Sequence, residues 1–114
     1  MPNPVGFFEI VGPDGPALQQ FYASVFGWTV DATRVPGYGY LDSGVPGSLP
    51  GGIRQETAAP AERILYIRVP DLGAALTRVT AAGGVTVLPP TKLPWVHFAL
   101  FRDPAGNLTG LLAD

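Results

Sequence analysis

Apolar residues occur along this chain in short runs that predict strands, and between these runs at the spacing of helices. The runs VGFFEI (5–10) and ILYIRV (64–69) have the length and the β-branched and aromatic content of strands. Each leads into a Pro-Asp turn, where Asp14 and Asp71 are good N-caps because their carboxylates accept amide hydrogens of a first helical turn. The pattern therefore predicts a strand followed by a helix, twice.

Both predicted helices present an apolar stripe and end at glycine. The stripe residues recur at three- and four-residue spacing and are Leu18, Phe21, Tyr22, Val25 and Phe26, then Leu72, Ala75, Leu76 and Val79. Gly27 and the pair Gly83-Gly84 follow, as C′ glycines do at helix ends. Three short strands complete each half, over 28–33, 38–42 and 50–54 and again over 85–88, 95–102 and 107–112.

The two halves of the chain align with each other. Segment 9–30 matches segment 66–87 without a gap at an offset of 57 positions, half of the 114 residues. The matches fall at turns as well as in apolar runs, and include Pro13 with Pro70 and Gly27 with Gly84. We therefore predict a single domain over 1–114 made of two β-α-β-β-β units, the first over about 5–55 and the second over about 62–112.

The amino-acid composition limits the kinds of partner that this chain is expected to bind. Hydrophobic residues make up 46% and charged residues 14%, the balance of a folded globule rather than a disordered chain. The net charge is −2 and no basic run is present, so we expect no nucleic-acid partner. No apolar segment reaches the roughly 18 residues that span a membrane, and the N-terminus lacks a signal-peptide pattern. We expect no membrane partner and a cytoplasmic location.

Cysteine is absent and His97 is the only histidine. Disulfides, thiolate metal sites and two-histidine metal sites within one chain are therefore excluded. His97 is also the only side chain that titrates near neutral pH when unperturbed. General-base catalysis needs a positioned substrate and an orienting partner as well, so we interpret His97 as a hydrogen-bonded strand residue and leave the catalytic residues unknown.

Four segments carry a resemblance to a known family, namely FFEI, FYASVFGW, VPDLGAALTRVTAAGG and FRDPAGNLTGLL. In these segments and their spacing the chain resembles the vicinal oxygen chelate superfamily, which includes glyoxalases, extradiol dioxygenases and the fosfomycin and bleomycin resistance proteins. The resemblance implies an α+β fold in which two tandem units form a curved, barrel-like mixed sheet with the helices outside. It also implies an inner cavity for a small organic molecule, and a homodimer with units paired within one chain or swapped between two.

Catalytic members of that family bind a divalent metal through donors on the first and last strand of each unit. The resemblance places these positions at Phe7, Gly52, Ile64 and Gly110, and none of these residues has a side chain that ligates metal. We therefore expect no catalytic metal, no cofactor and no metal-dependent glyoxalase or dioxygenase activity. The segment DPAGN (103–107) has the chemistry of a hairpin turn rather than a catalytic site.

Strand alternation predicts the lining of the inner face. If Phe7 and Ile64 face inward, then Glu9, Tyr66 and Arg68 do so as well. The two charged residues of this set, Glu9 and Arg68, are either the polar groups of a ligand site or a structural ion pair.

Aromatic residues supply further candidates for the inner face, and they are Trp28, Tyr38, Tyr40, Trp95 and His97. Trp95 and His97 enter this set because the repeat equates them with Tyr38 and Tyr40. The rings form either a stacking wall for a planar ligand or ordinary packing.

Three functions fit these features. The first is binding of a small organic molecule in the inner cavity without a metal, as in resistance proteins that sequester a drug. The second is a lyase, isomerase or dioxygenase-like enzyme of the same superfamily, in which Glu9, Tyr66 or His97 acts as acid or base. The third is a regulatory or interaction module whose cavity is filled by its own side chains.

Overall fold

Eight strands and two helices account for the regular structure of residues 2–58 and 60–114, which this computed structural model describes. The first half contains β1 (Val5–Gly12), α1 (Gly15–Phe26), β2 (Thr29–Val35), β3 (Tyr38–Asp42) and β4 (Gly51–Gln55). The second half contains β5 (Glu62–Val69), α2 (Leu72–Ala81), β6 (Val85–Leu93), β7 (Val96–Arg102) and β8 (Leu108–Ala113). The predicted β-α-β-β-β order and the α+β class are confirmed.

The chain divides into two compact units whose boundaries fall inside β1 and β5. Phe7–Ile64 form the N-terminal unit, and Leu65–Asp114 together with the segment that ends at Gly6 form the C-terminal unit. The amide of Arg68 donates to the carbonyl of Pro4 at 2.9 Å and joins that first segment to β5. The start of β1 therefore belongs to the C-terminal unit, which the sequence repeat did not indicate.

Helix α1 covers one face of the sheet in the N-terminal unit. The strand order is β2-β3-β4-β1, with β1 parallel to β4 and the other neighbours antiparallel. The buried residues of this layer come from three strands and are Ile10, Leu41 and Ile53. Leu18 and Tyr22 of α1 pack against them. Because successive strand residues point to opposite faces, Glu9 lies on the face that α1 leaves uncovered.

The C-terminal unit repeats this arrangement with α2. Its strand order is β5-β8-β7-β6, with β5 parallel to β8 and the other neighbours antiparallel. The core between α2 and the sheet consists of Val69, Leu72, Ala75, Leu76, Ala99 and Leu111.

Capping residues and glycines lie at the ends of the helices, at the positions that the sequence predicted. The carboxylates of Asp14 and Asp71 each accept a hydrogen bond from the amide three residues further on, at 3.0 and 2.9 Å. Gly27 ends α1 with a φ of 71°, and Gly83 follows α2 with a φ of 98°. These left-handed conformations favour glycine because it has no Cβ. Neither α1 nor α2 has the length and apolarity needed to cross a bilayer.

The apolar stripe of α1 is buried only in part. Phe21, Val25 and Phe26 remain 52%, 55% and 57% exposed, whereas Leu18 and Tyr22 pack on the sheet. Three neighbouring large apolar side chains on one helix form an exposed patch of the kind that marks interaction surfaces.

The segment DPAGN forms the hairpin turn between β7 and β8. The Asp103 amide donates to the carbonyl of Asn107 at 3.0 Å, and the Asp103 carboxylate accepts from the amides of Ala105 and Asn107, both at 2.9 Å. Gly106 takes a φ of 93°. Hydrogen bonds from Asn107 hold the pKa of Asp103 below its ordinary value of 3.8, because they favour the ionised form. The interpretation as a turn is confirmed.

Asp103→Asn is expected to lower the melting temperature at neutral pH, because the amide cannot replace both carboxylate acceptors. A folded-state pKa below the unfolded value stabilises the fold above the unfolded pKa, and this contribution is lost as pH falls through the folded pKa. The difference between wild type and D103N should therefore shrink as pH falls below 3.8. Calorimetry across pH measures this difference, with Asp114→Asn, at an exposed residue that follows β8, as the control. A difference that does not change with pH would contradict this role of Asp103.

Candidate functional site

The face of the N-terminal sheet opposite α1 gathers aromatic and charged residues from three strands. Its members are Phe7 and Glu9 of β1, Tyr38 and Tyr40 of β3, and Gly52 and Arg54 of β4. Glu9 pairs with Gly52, Gly52 with Tyr40, and Arg54 with Tyr38. Directly paired residues share a face of the sheet, so these six positions form one surface, called the aromatic face below.

Glu9 lies at the centre of the aromatic face and is only 5% exposed. A buried carboxylate is costly unless it is paired and hydrogen-bonded. The hydroxyl of Tyr38 donates to Oε2 of Glu9 at 2.7 Å, and Nε of Arg54 donates to Oε1 at 3.3 Å. Both carboxylate oxygens therefore accept a hydrogen bond, and Arg54 balances the charge.

Arg54 is a partner of Glu9 that the sequence did not identify. A Glu9–Arg68 ion pair was one of the two alternatives from the sequence, but the cation that the structure places on the Glu9 carboxylate comes from β4. Arg68 is exposed, and its side chain lies over Gly6, where an added Cβ would stand 2.5 Å from its Nε. Alternation along β4 puts Gly52 and Arg54 on one face, but the parallel pairing of β1 with β4 cannot be read from the sequence.

Three rings form a continuous patch on the aromatic face. The ring centroids of Tyr38 and Tyr40 lie 5.0 Å apart at 64°, and those of Phe7 and Tyr40 lie 6.5 Å apart at 68°. Both are edge contacts of a kind that aromatic pairs favour. The guanidinium of Arg34 lies 4.1 Å from the centroid of the Tyr40 ring. The rings are partly exposed, so this face offers apolar area beside the Glu9–Arg54 ion pair.

Gly52 allows Tyr38 to reach Glu9. The phenol of Tyr38 lies over Gly52, in the space that a Cβ would occupy. A side chain at position 52 would therefore displace the ring and break its hydrogen bond to Glu9. Gly110 has the same relation to the ring of Tyr66 in the C-terminal unit.

These two glycines stand at positions where the family resemblance implies metal donors. The other two such positions, Phe7 and Ile64, carry hydrocarbon side chains, and Ile64 is fully buried. Within residues 2–58 and 60–114, no group of three His, Asp or Glu side chains could hold a metal ion. The residues present do not fit a divalent metal. At Gly52 and Gly110, moreover, an aromatic ring fills the space where a donor side chain would begin.

Tyr66 and Arg68 lie on the face of the C-terminal sheet that points away from α2. Tyr66 pairs with Gly110, and Arg68 pairs with Leu112. Their neighbours along β5 pack in the α2 core. Tyr66 is 7% exposed, and its ring lies over Gly110. The tyrosine that covers the last-strand glycine therefore comes from the first strand in this unit, whereas in the N-terminal unit it comes from the third strand.

The third strands of the two units are not related by the offset of 57 that the sequence repeat suggested. Tyr40 pairs with Gly52, whereas Leu100 pairs with Gly110 in the corresponding strands. The structural equivalents of the two β3 tyrosines are therefore Phe98 and Leu100. Most of this shift arises in the second strand, because β6 has nine residues and two register irregularities, whereas β2 has seven residues and one.

Trp95 and His97 consequently do not take the predicted positions. Trp95 lies in the turn between β6 and β7, not in a strand, and is 54% exposed. His97 is exposed and by alternation shares its face with Ala99, which belongs to the α2 core. The gapless repeat was the only basis for both assignments, and the longer β6 invalidates it.

Trp28 also lies away from the aromatic face. Its ring stacks on Tyr22 of α1, with centroids 5.4 Å apart and planes at 11°, and contacts the ring of Phe8 at 6.0 Å. Trp28 is therefore a packing residue of the α1 layer. The sequence could not decide this, because the direction of the first residue after a helix-ending glycine depends on how β2 joins the sheet.

Comparison with known proteins agrees with this fold. The model of one family, described as the glyoxalase/bleomycin resistance protein/dioxygenase superfamily, matches residues 5–111. The chain is 28% identical to the anthracycline biosynthesis protein DnrV of Streptomyces peucetius, over 92% of this chain and 45% of that protein. The chain thus spans about half the length of the curated relatives it matches.

Solved structures share the architecture. Methylmalonyl-CoA epimerase from Mycobacterium tuberculosis superposes with a TM-score of 0.67 at 17% identity, over 96% of this chain and 86% of that one. A glyoxalase/bleomycin resistance protein/dioxygenase superfamily member from Vibrio splendidus 12B01 gives a TM-score of 0.68 at 19% identity, over 99% and 100%. At these identities the likeness establishes the fold alone.

Gly52→Ala is expected to reduce the free energy of unfolding by about 1–3 kcal/mol, because the new methyl group displaces the Tyr38 ring. Urea denaturation measures the loss. Gly73→Ala on α2 is the control, since the nearest atom would lie 3.5 Å from its Cβ, and it should be neutral or stabilising. In a Tyr38→Ala background the cost of G52A should fall. An undiminished cost there would contradict the steric explanation.

Proposed function

The chain belongs to the glyoxalase/bleomycin resistance protein/dioxygenase superfamily, and on that premise we propose that it binds a small planar organic molecule without a catalytic metal. The proposed binding surface is the aromatic face. The observation that carries the proposal is the set of partly exposed rings of Phe7, Tyr38 and Tyr40 beside the buried Glu9 and its half-buried partner Arg54. Apolar area with a few fixed polar groups is the usual composition of a small-molecule site.

The hydrogen bonds of Glu9 favour binding over acid–base catalysis. A general base needs a carboxylate oxygen directed at the proton it removes. Here Oε2 of Glu9 already accepts from Tyr38 and Oε1 from Arg54. The carboxylate therefore serves to hold the Tyr38 ring and the Arg54 guanidinium in place, which suits sequestration better than a lyase or isomerase reaction.

A planar aromatic ligand is supported by the shape of this face and by one relative. Rings in edge contact expose flat apolar surface on which another ring system can pack. DnrV, whose name places it in anthracycline biosynthesis, is similar over 92% of this chain, and anthracyclines contain a planar anthraquinone. Anthraquinone derivatives are accordingly suitable probes.

Tyr40→Ala should weaken the binding of anthraquinone-2-carboxamide, a neutral planar probe, by about tenfold, because it removes the central ring of the face. Isothermal titration calorimetry on the full chain measures the affinity. Trp95→Ala is the matched control, since this exposed ring lies in the β6–β7 turn, and it should leave the affinity unchanged. Equal effects of the two substitutions, or no binding to wild type, would reject the aromatic face as the site.

We also propose that the chain forms a homodimer through the exposed patch of α1. Support comes from Phe21, Val25 and Phe26, which stay more than half exposed on one helix. Burial of such side chains is the main favourable term in protein association.

Val25→Glu should then weaken the dimer by at least about tenfold, because a carboxylate would be buried in an apolar contact. Analytical ultracentrifugation measures the dissociation constant. Gln20→Glu, an exposed site on the same helix, adds the same charge outside the patch and is the control. A monomeric wild type, or a V25E variant that associates like wild type, would contradict the proposal.

A further inference from the structure

Arg34 stands at the outer edge of the aromatic face, on a part of β2 that leaves regular pairing. The register between β2 and β3 shifts between Asp31 and Val35. Arg34 falls within this irregular segment, and its guanidinium lies 4.1 Å from the centre of the Tyr40 ring. A cation held over an aromatic face in this way is attracted by the ring quadrupole. The contact with the Tyr40 ring therefore holds the Arg34 guanidinium at a defined place on the exposed surface.

The guanidinium of Arg34 differs from the other two in the N-terminal unit because its hydrogen-bonding capacity is unused. Arg54 is paired with Glu9, and Arg63 donates to the hydroxyl of Tyr22 at 3.3 Å. Arg34 makes neither a hydrogen bond nor an ion pair with any residue in 2–58 or 60–114. Its five N–H donors are consequently available to a ligand.

Asp31 is the acid whose charge interacts with that of Arg34, but it forms no ion pair with it. Asp31 accepts from the amide of Thr33 at 2.9 Å and from its hydroxyl at 2.6 Å. The hydrogen bond from the Thr33 hydroxyl, then the one from the Thr33 amide, and to a smaller extent the charge of Arg34 hold the pKa of Asp31 below its ordinary value. The Asp31 carboxylate thus stays ionised, but its hydrogen bonds are made within β2.

We propose that Arg34 binds the anionic group of the ligand, and that the ligand is a planar aromatic acid. This inference rests on the proposed binding at the aromatic face. A ring system packed on Tyr40 would place an acidic substituent at the β2 edge, where the planar guanidinium can donate two parallel hydrogen bonds to a carboxylate. Arg54, the other arginine on this face, is already paired with two carboxylates, those of Glu9 and Glu56.

The test compares anthraquinone-2-carboxylate with anthraquinone-2-carboxamide, which has the same shape without the charge. Calorimetric titrations of the full chain at neutral pH use wild type, R34Q and R34K, with R78Q on the exposed surface of α2 as the control. Wild type should bind the carboxylate about tenfold more tightly than the amide, the worth of a hydrogen bond to a charged group. R34Q should abolish this preference by weakening the binding of the carboxylate more than that of the amide. R34K should retain part of it, and R78Q all of it.

Each other outcome has a separate meaning. Equal affinity of wild type for both probes, or a preference that survives in R34Q, would overturn the role of Arg34 and leave the proposed binding face intact. Equal weakening of both probes by R34Q would also overturn it, since the arginine would then only support the Tyr40 ring. If neither probe binds wild type, the proposed function fails, and this inference fails with it.

Discussion

The hydrogen bond from Tyr38 to Glu9 exists because position 52 has no side chain. The phenol lies across β4 to reach a carboxylate on β1, and only glycine leaves that space open. With this bond made, the buried carboxylate of Glu9 has one hydrogen-bonded partner, and Arg54 is another. The same ring orientation sets the edge contact with Tyr40. The absence of a Cβ at Gly52 therefore allows both the hydrogen bond between Tyr38 and Glu9 and the ring contact between Tyr38 and Tyr40.

The second unit uses the same constraint with different residues. The ring of Tyr66 lies over Gly110 as that of Tyr38 lies over Gly52. Both glycines stand at positions where the family resemblance implies metal donors. Aromatic packing thus takes up the space that metal ligands would need, and restoring a donor would also require removal of a ring. The binding that we propose at the aromatic face accordingly uses apolar contacts and needs no metal.

Local chemistry could be predicted from the sequence, and long-range pairing could not. The caps at Asp14 and Asp71 and the turn that begins at Asp103 depend on a few adjacent residues. Strand alternation alone predicted the face of the sheet on which Glu9 lies. The partner of Glu9 depends on the parallel pairing of β1 with β4, across more than 40 residues. The exposure of His97 depends on the extra length of β6.

Native mass spectrometry with metal analysis, on protein purified from its natural source, tests the central claim most directly. The account predicts a chain that carries a small organic molecule and no stoichiometric divalent metal. One equivalent of nickel, zinc or iron per chain would contradict it, because the residues at positions 7, 52, 64 and 110 supply no metal donor.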